Sequence, residues 1–150
     1  MKHLSCFRQV WVVDFEFTAS PGDIPVPLCV VARELRSDRV IRQWLEGEDS
    51  PLLSYDVSSD SLFVAYYASA ELGCHLALGW ALPARVLDLY AEFRWINSGS
   101  SAPCGYGLLG ALSCFGLDGL AATEKESMRD LAVRGGPYSE QERLDLLNYC

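Results

Sequence analysis

Residues 10–17 read Val-Trp-Val-Val-Asp-Phe-Glu-Phe. A run this rich in β-branched and aromatic residues predicts a strand covered on both faces, and such a strand needs packing layers on either side of its sheet. Within it stand Asp14 and Glu16. Two residues apart in a strand, their side chains leave one face while Phe15 and Phe17 leave the other. Two like charges in apolar surroundings are costly unless a cation compensates, and close-set carboxylate oxygens suit Mg²⁺ or Mn²⁺. A solvated strand face would hold the same pair without a cation. Val10, Val12 and Phe17 make the surroundings apolar and favour the metal.

The segments that follow alternate between apolar runs and breakers. Gly22, Pro21, Pro25 and Pro27 mark a turn, and Leu28 to Leu35 and Val40 to Leu45 read as two further strands split by Arg36-Ser37-Asp38-Arg39, which predicts an antiparallel meander of three strands. Leu62 to Tyr67 reads as a fourth strand. Ser69 is placed to cap a helix carrying Leu72, Leu76 and Trp80, which Pro83 would end. Arg85 to Leu89 reads as a short strand, followed by a helix through Phe93 and Ile96. Asn97 to Gly107 reads as a loop, and helical sequence follows at Leu108, Leu109, Leu112 and Phe115 and again at Thr123 to Val133. Ser139 and Glu142 have the spacing of a capping box for a last helix. Strand and helix alternate through the second half, so the class is α/β and residues 1–150 are expected to form one domain.

Half of the 150 residues are hydrophobic and 21% are charged, which excludes a disordered chain. The net charge of -8 argues against a protein that grips nucleic acid with a broadly basic surface. It does not exclude a nuclease, whose metal carboxylates add acid while cations and a few arginines meet the phosphates. The six cysteines form no C-x-x-C pair, and Cys29 sits in an apolar run. They read as reduced, buried thiols of a cytoplasmic protein. Met1-Lys2-His3-Leu4 precedes no long charge-free apolar stretch, so neither signal peptide nor membrane span is expected.

Glu71 falls in the first turn of the helix after Tyr66-Tyr67, where the helix dipole alone would favour an acid. Its place in the chain adds to this. A strand bearing D-x-E, a meander, a strand and helix with an acid in the first helical turn, and a late helix bearing Tyr149 resemble the DEDD 3′-to-5′ exonucleases of the Tyr-type branch. The stretches VWVVDFEFTASPGDIPVPLCVVARELRS, FVAYYASAEL, ALPARVLDLYAEFR, GLLGALSCFGL and EKESMRDLAVRGGPYSEQERLDLLNYC resemble the exonuclease domain of bacterial and phage DNA polymerases of the polymerase I type. The resemblance implies a ribonuclease-H-like fold with a mixed five-stranded sheet, the antiparallel meander joined by two parallel strands, flanked by helices.

It also implies roles. Asp14 would bridge two Mg²⁺ or Mn²⁺ ions, Glu16 would bind the ion that holds the attacking water, Glu71 would serve the second ion, and Tyr149 would orient the water. The implied reaction is in-line hydrolysis of nucleotides from the 3′ end of single-stranded DNA, with a polymerase domain as a possible neighbour in a longer protein and no membrane partner. Phe15, Phe17, Tyr66 and Tyr67 lie where they could stack on the last bases, with core packing as the competing reading and the stronger one for Phe15. The chain departs from the pattern in having Glu71 where Asp is usual and Tyr67 where Asn is common. The family's fourth acid would fall at position 153, so the sequence reads as a domain whose C-terminal part is missing. The competing readings are a catalytically incomplete nucleic-acid-binding module of the same fold and an exoribonuclease.

Other candidates are weaker. His75 shares a helical face with Glu71, Asp88 ends a strand near the site, and Lys125, Arg129 and Arg134 have the charge for phosphate contact, although a solvated helix face explains them as well. Gly105 to Gly110 lacks the Lys-Ser/Thr of a phosphate loop.

Overall fold

The computed structural model describes residues 2–20, 22–47, 51–98, 104–117 and 122–150, the side chains of 2, 3 and 122–126 excepted. Five strands form one sheet: β1 Gln9–Thr18, β2 Val26–Glu34, β3 Val40–Trp44, β4 Ser61–Ala65 and β5 Val86–Asp88. The order is β3-β2-β1-β4-β5, with β3-β2-β1 antiparallel and β1, β4 and β5 parallel. This is the expected mixed sheet and is consistent with a ribonuclease-H-like arrangement. Among the described residues five α-helices flank it: α1 Ala68–Ala77, α2 Leu89–Ile96, α3 Leu108–Cys114, α4 Ala122–Arg134 and α5 Glu140–Tyr149. No helix among the described residues is long and apolar enough to cross a membrane.

The period of two along β1 divides its side chains between two faces, with Val10 and Val12 packing with Leu62 and Val64 on one of them. Val13 and Phe15 pack with Val30, Phe63, Tyr55 and, from α1, Ala68 and Cys74. On β2, Leu28 and Cys29 pack against Ala132 of α4, Tyr138, and Leu146 of α5. Helices therefore cover the central strands on both sides, as a two-faced apolar strand requires. The β2–β3 turn is closed by Glu34. Its buried carboxylate accepts from the backbone N–H groups of Val10 (2.9 Å), Arg36 (3.1 Å) and Ser37 (2.7 Å) and from the Ser37 hydroxyl (2.7 Å). Burial alone would raise this carboxyl, but those donors outweigh it and hold it down at about 2.

The fourth strand and first helix differ from expectation. β4 stops at Ala65, and α1 is preceded by Tyr67, not Ser69, in the left-handed region (φ 73°) with no side-chain cap bond. The helix ends at Ala77, ahead of Gly79 (φ 66°), and does not run to Pro83. Its buried face is Ala68, Glu71, Cys74 and His75, whereas Leu76 is 65% exposed. Counting leucines picked the wrong face because the sheet leaves room for small and polar side chains there. The cysteines also depart in part. Cys29 and Cys74 are buried, Cys150 is half-buried, and Cys6, Cys104 and Cys114 are exposed, all six as free thiols. The last helix follows expectation, with both bonds of the Ser139/Glu142 capping box formed.

Candidate functional site

The parallel pairing of β1 with β4 ends at Val12↔Val64. Just beyond that point Asp14 and Glu16 stand at the carboxyl end of β1, opposite Val31 and Cys29 of β2. In open α/β sheets this end of the parallel strands is where ligands bind, because the chain turns away there and leaves a crevice. Asp14 is exposed and Glu16 half-buried. Ligand atoms of Asp14, Glu16 and Cys150 all lie within 4.8 Å of one another. The Cys150 thiol also donates to the Asp14 backbone carbonyl at 3.1 Å, which ties the end of α5 to β1.

Glu71 approaches from α1. It is 4% exposed, and its carboxylate accepts the backbone N–H of Phe15. Burial first, then the charges of Asp14 and Glu16, push its pKa well above the ordinary value against that one hydrogen bond. Its Oε2 is buried with no hydrogen-bond partner among the described residues. A buried carboxylate oxygen left unpaired beside two more carboxylates is unfavourable by the ordinary rules of satisfaction. Protonation relieves the charge, as the raised pKa shows, and a divalent cation would relieve it too, hard oxygen donors being suited to Mg²⁺ or Mn²⁺. Asp14 and Glu16 offer such oxygens close together, whereas Glu71 lies outside the group of ligand atoms within 4.8 Å that those two form with Cys150.

Asp14, Glu16 and Tyr149 line a cleft of about 380 Å³, together with Tyr66, Tyr67, Tyr90 and Arg129. The sequence-predicted Asp14, Glu16 and Tyr149 thus share one cleft, whereas Glu71 feels the charges of the first two but does not line it. Tyr67 is 52% exposed on the wall of that cleft.

One predicted contact does not survive. Phe15 is 3% exposed and packs against His75 and Trp80, with ring centroids 5.8 and 6.0 Å away, so it cannot stack on a base. Phe17 is half-buried against the same core and also lines a hollow with Glu16 and Arg129. The burial of Phe15 follows from the alternation that puts the carboxylates on the opposite face, while the register shift between Glu16 and Phe17 interrupts it there. His75 is fully buried, 2.6 Å from Tyr55 Oη and 2.9 Å from the Ala81 carbonyl, and serves the core. Arg134 is engaged by Glu142 at 2.6 Å, Arg129 borders the cleft, and the Lys125 side chain lies outside the described residues.

Sequence reading missed Tyr90 and Cys150. Tyr90 sits just past the end of β5, a position that the crevice rule would have flagged. Cys150 follows Tyr149 directly, and no local pattern links it to a strand 136 residues earlier. The sequence matches no family model and no curated protein.

Proposed function

We propose that the chain is a divalent-metal-dependent 3′-to-5′ exonuclease domain acting on single-stranded DNA, of the type that accompanies a DNA polymerase. The observation that carries this reading is the buried, unpaired Oε2 of Glu71 beside the charges of Asp14 and Glu16. Asp14 and Glu16 from β1 and Glu71 from α1 would hold the ions. When bound, divalent cations activate water and neutralise charge at the phosphorus and the leaving oxygen.

The chain's own residues supply the rest. Glu71 is anchored by the Phe15 N–H, so the acid from α1 is fixed to the strand that carries the other two. Tyr149 lines the same cleft, and its phenol would orient the attacking water. Arg129 on α4 borders the cleft and offers a guanidinium to a phosphate oxygen. Tyr66 and Tyr67 give the wall an aromatic character suited to unpaired bases.

The test is digestion of single-stranded DNA labelled at its 5′ end, with Mg²⁺ or Mn²⁺. A ladder shortening from the 3′ end, lost with chelator and in Asp14→Asn with the fold intact, is the expected result. Digestion unaffected by chelator or by Asp14→Asn would refute the metal mechanism, and a parallel RNA strand separates the two sugar preferences.

A further inference from the structure

Beyond the carboxylates, the cleft wall continues along α2 as an ordered set of rings and one cation. The Tyr67 and Tyr90 rings lie 5.0 Å apart at 78°, and Tyr66 meets Tyr90 at 5.9 Å. Arg94, one turn further along α2, places its guanidinium 5.7 Å from the Tyr90 ring and 5.4 Å from the Tyr106 ring. Tyr66 donates its hydroxyl to the Tyr106 carbonyl, which fixes the far end of this row to the near one. Arg94 is exposed and forms no ion pair with any described residue. In a chain of net charge -8, an arginine without an ion pair, donating to the Tyr90 hydroxyl at 3.3 Å and held between two tyrosines beside an acidic cleft, is a specific feature.

We infer that Tyr67, Tyr90, Arg94 and Tyr106 form a stacking track that holds the unpaired nucleotides on the 5′ side of the terminal one. The inference rests on the reading of the cleft as a site for a strand's 3′ end, and extends it from the reacting phosphate to the strand behind it. Aromatic faces and planar guanidinium groups take bases without regard to sequence, and a cation between rings also answers the phosphate. Tyr66, Tyr67 and Tyr90 already line the cleft that contains Asp14 and Glu16, so the track is continuous with the site. Paired bases present no open faces, so the track selects single strands over duplex.

Binding is measured in chelator, where hydrolysis is off, by fluorescence anisotropy of labelled thymidylate oligomers with the whole chain. Arg94→Ala and Tyr90→Leu are expected to weaken an octanucleotide about tenfold, in line with the loss of one stacked base, and to leave a dinucleotide unchanged. Tyr90→Phe keeps the ring but loses the hydroxyl that accepts from Arg94, so it should bind better than Tyr90→Leu and below the parent, while Arg94→Lys should fall with Arg94→Ala because lysine has charge but no plane. Because Arg94 is exposed, Arg94→Ala keeps the test valid even if Tyr90→Leu fails to fold. The track is overturned if Arg94→Ala binds the octanucleotide like the parent, if Arg94→Lys restores binding in full, or if blunt duplex binds equally well. Cleavage that persists with unaltered binding in both variants sinks the track and leaves the nuclease. Loss of binding in a chain that never cleaves sinks the nuclease and leaves the track.

Discussion

Asp88 Oδ1 accepts the backbone N–H of Tyr67 at 3.2 Å, and the same oxygen takes the N–H groups of Tyr90 at 2.9 Å and Ala91 at 3.4 Å. One carboxylate at the end of β5 thus caps α2 and also holds the residue that starts α1. Tyr67 sits at φ 73°, a conformation that costs a bulky residue on the order of 1 kcal/mol or more and persists only where its surroundings fix it. Asp88→Ala should therefore destabilise the fold by about 1–2 kcal/mol, a lost N-cap being worth roughly 1. Asp88→Asn, which caps as well, should lose little. Urea midpoints of the two variants check the contrast, and equal losses would show that the cap geometry is not the cause.

Glu34 gives a pH dependence of known sign. Its folded pKa lies near 2, below the ordinary 4.5. A depressed carboxyl contributes stability that is present above the unfolded value and lost as pH falls from about 4.5 toward 2. Glu34→Gln should cost on the order of 1–3 kcal/mol at neutral pH, since three backbone N–H groups then face a weaker acceptor. The acid limb of its stability curve should also be flatter than that of the parent. Thermal melts from neutral pH down to pH 3 measure both effects.

His75 has the opposite chemistry and the same sign. The Ala81 carbonyl can only accept, so Nδ1 carries the hydrogen and Nε2 takes the Tyr55 hydroxyl. Burial lowers the His75 pKa below its ordinary 6.5, against the pull of the Ala81 carbonyl. Its contribution is whole above pH 6.5 and declines as pH falls below that value, because the unfolded chain takes up the proton first. Tyr55→Phe should cost about 1–3 kcal/mol by leaving Nε2 buried and unpaired. The parent should lose melting temperature between pH 7.5 and 5 more steeply than His75→Phe.

The parts of this fold that were legible in the sequence are those set by local period. The alternation in Val10 to Phe17 gave both the two-faced strand and the common side of Asp14 and Glu16, and the Ser139/Glu142 spacing gave the start of α5. The start of α1 was not legible, because the left-handed Tyr67 is held by an acceptor 21 residues later. The same alternation argues against Phe15 as a stacking residue, since the face opposite the carboxylates is the one His75 and Trp80 cover. Cys150 reaches Asp14 only through the docking of α5, a tertiary event with no local signature.

Glu71 provides the clearest separation of stability from function. At neutral pH its carboxyl sits beside Asp14 and Glu16 with one oxygen unpaired, and burial with those two charges favours the protonated form. A carboxyl raised in this way stabilises the fold most below its unfolded pKa, and that stabilisation is lost as pH rises through the folded value. Glu71→Gln keeps the shape and an acceptor for the Phe15 N–H while removing the charge. Without divalent ions it should be more stable than the parent at pH 7 by about 1–2 kcal/mol, the scale of an uncompensated buried polar group, which is a rise of roughly 2–8 °C for a domain of this size. Added Mn²⁺ should reverse the order. The parent gains stability by binding the ion to its folded state, and the variant, short of one carboxylate, gains less. Melting curves of both proteins with chelator and with Mn²⁺ test the two halves independently. If the two proteins gain equally from Mn²⁺, Glu71 is not a ligand, and if the variant is the less stable one in chelator, its carboxylate is satisfied without a metal.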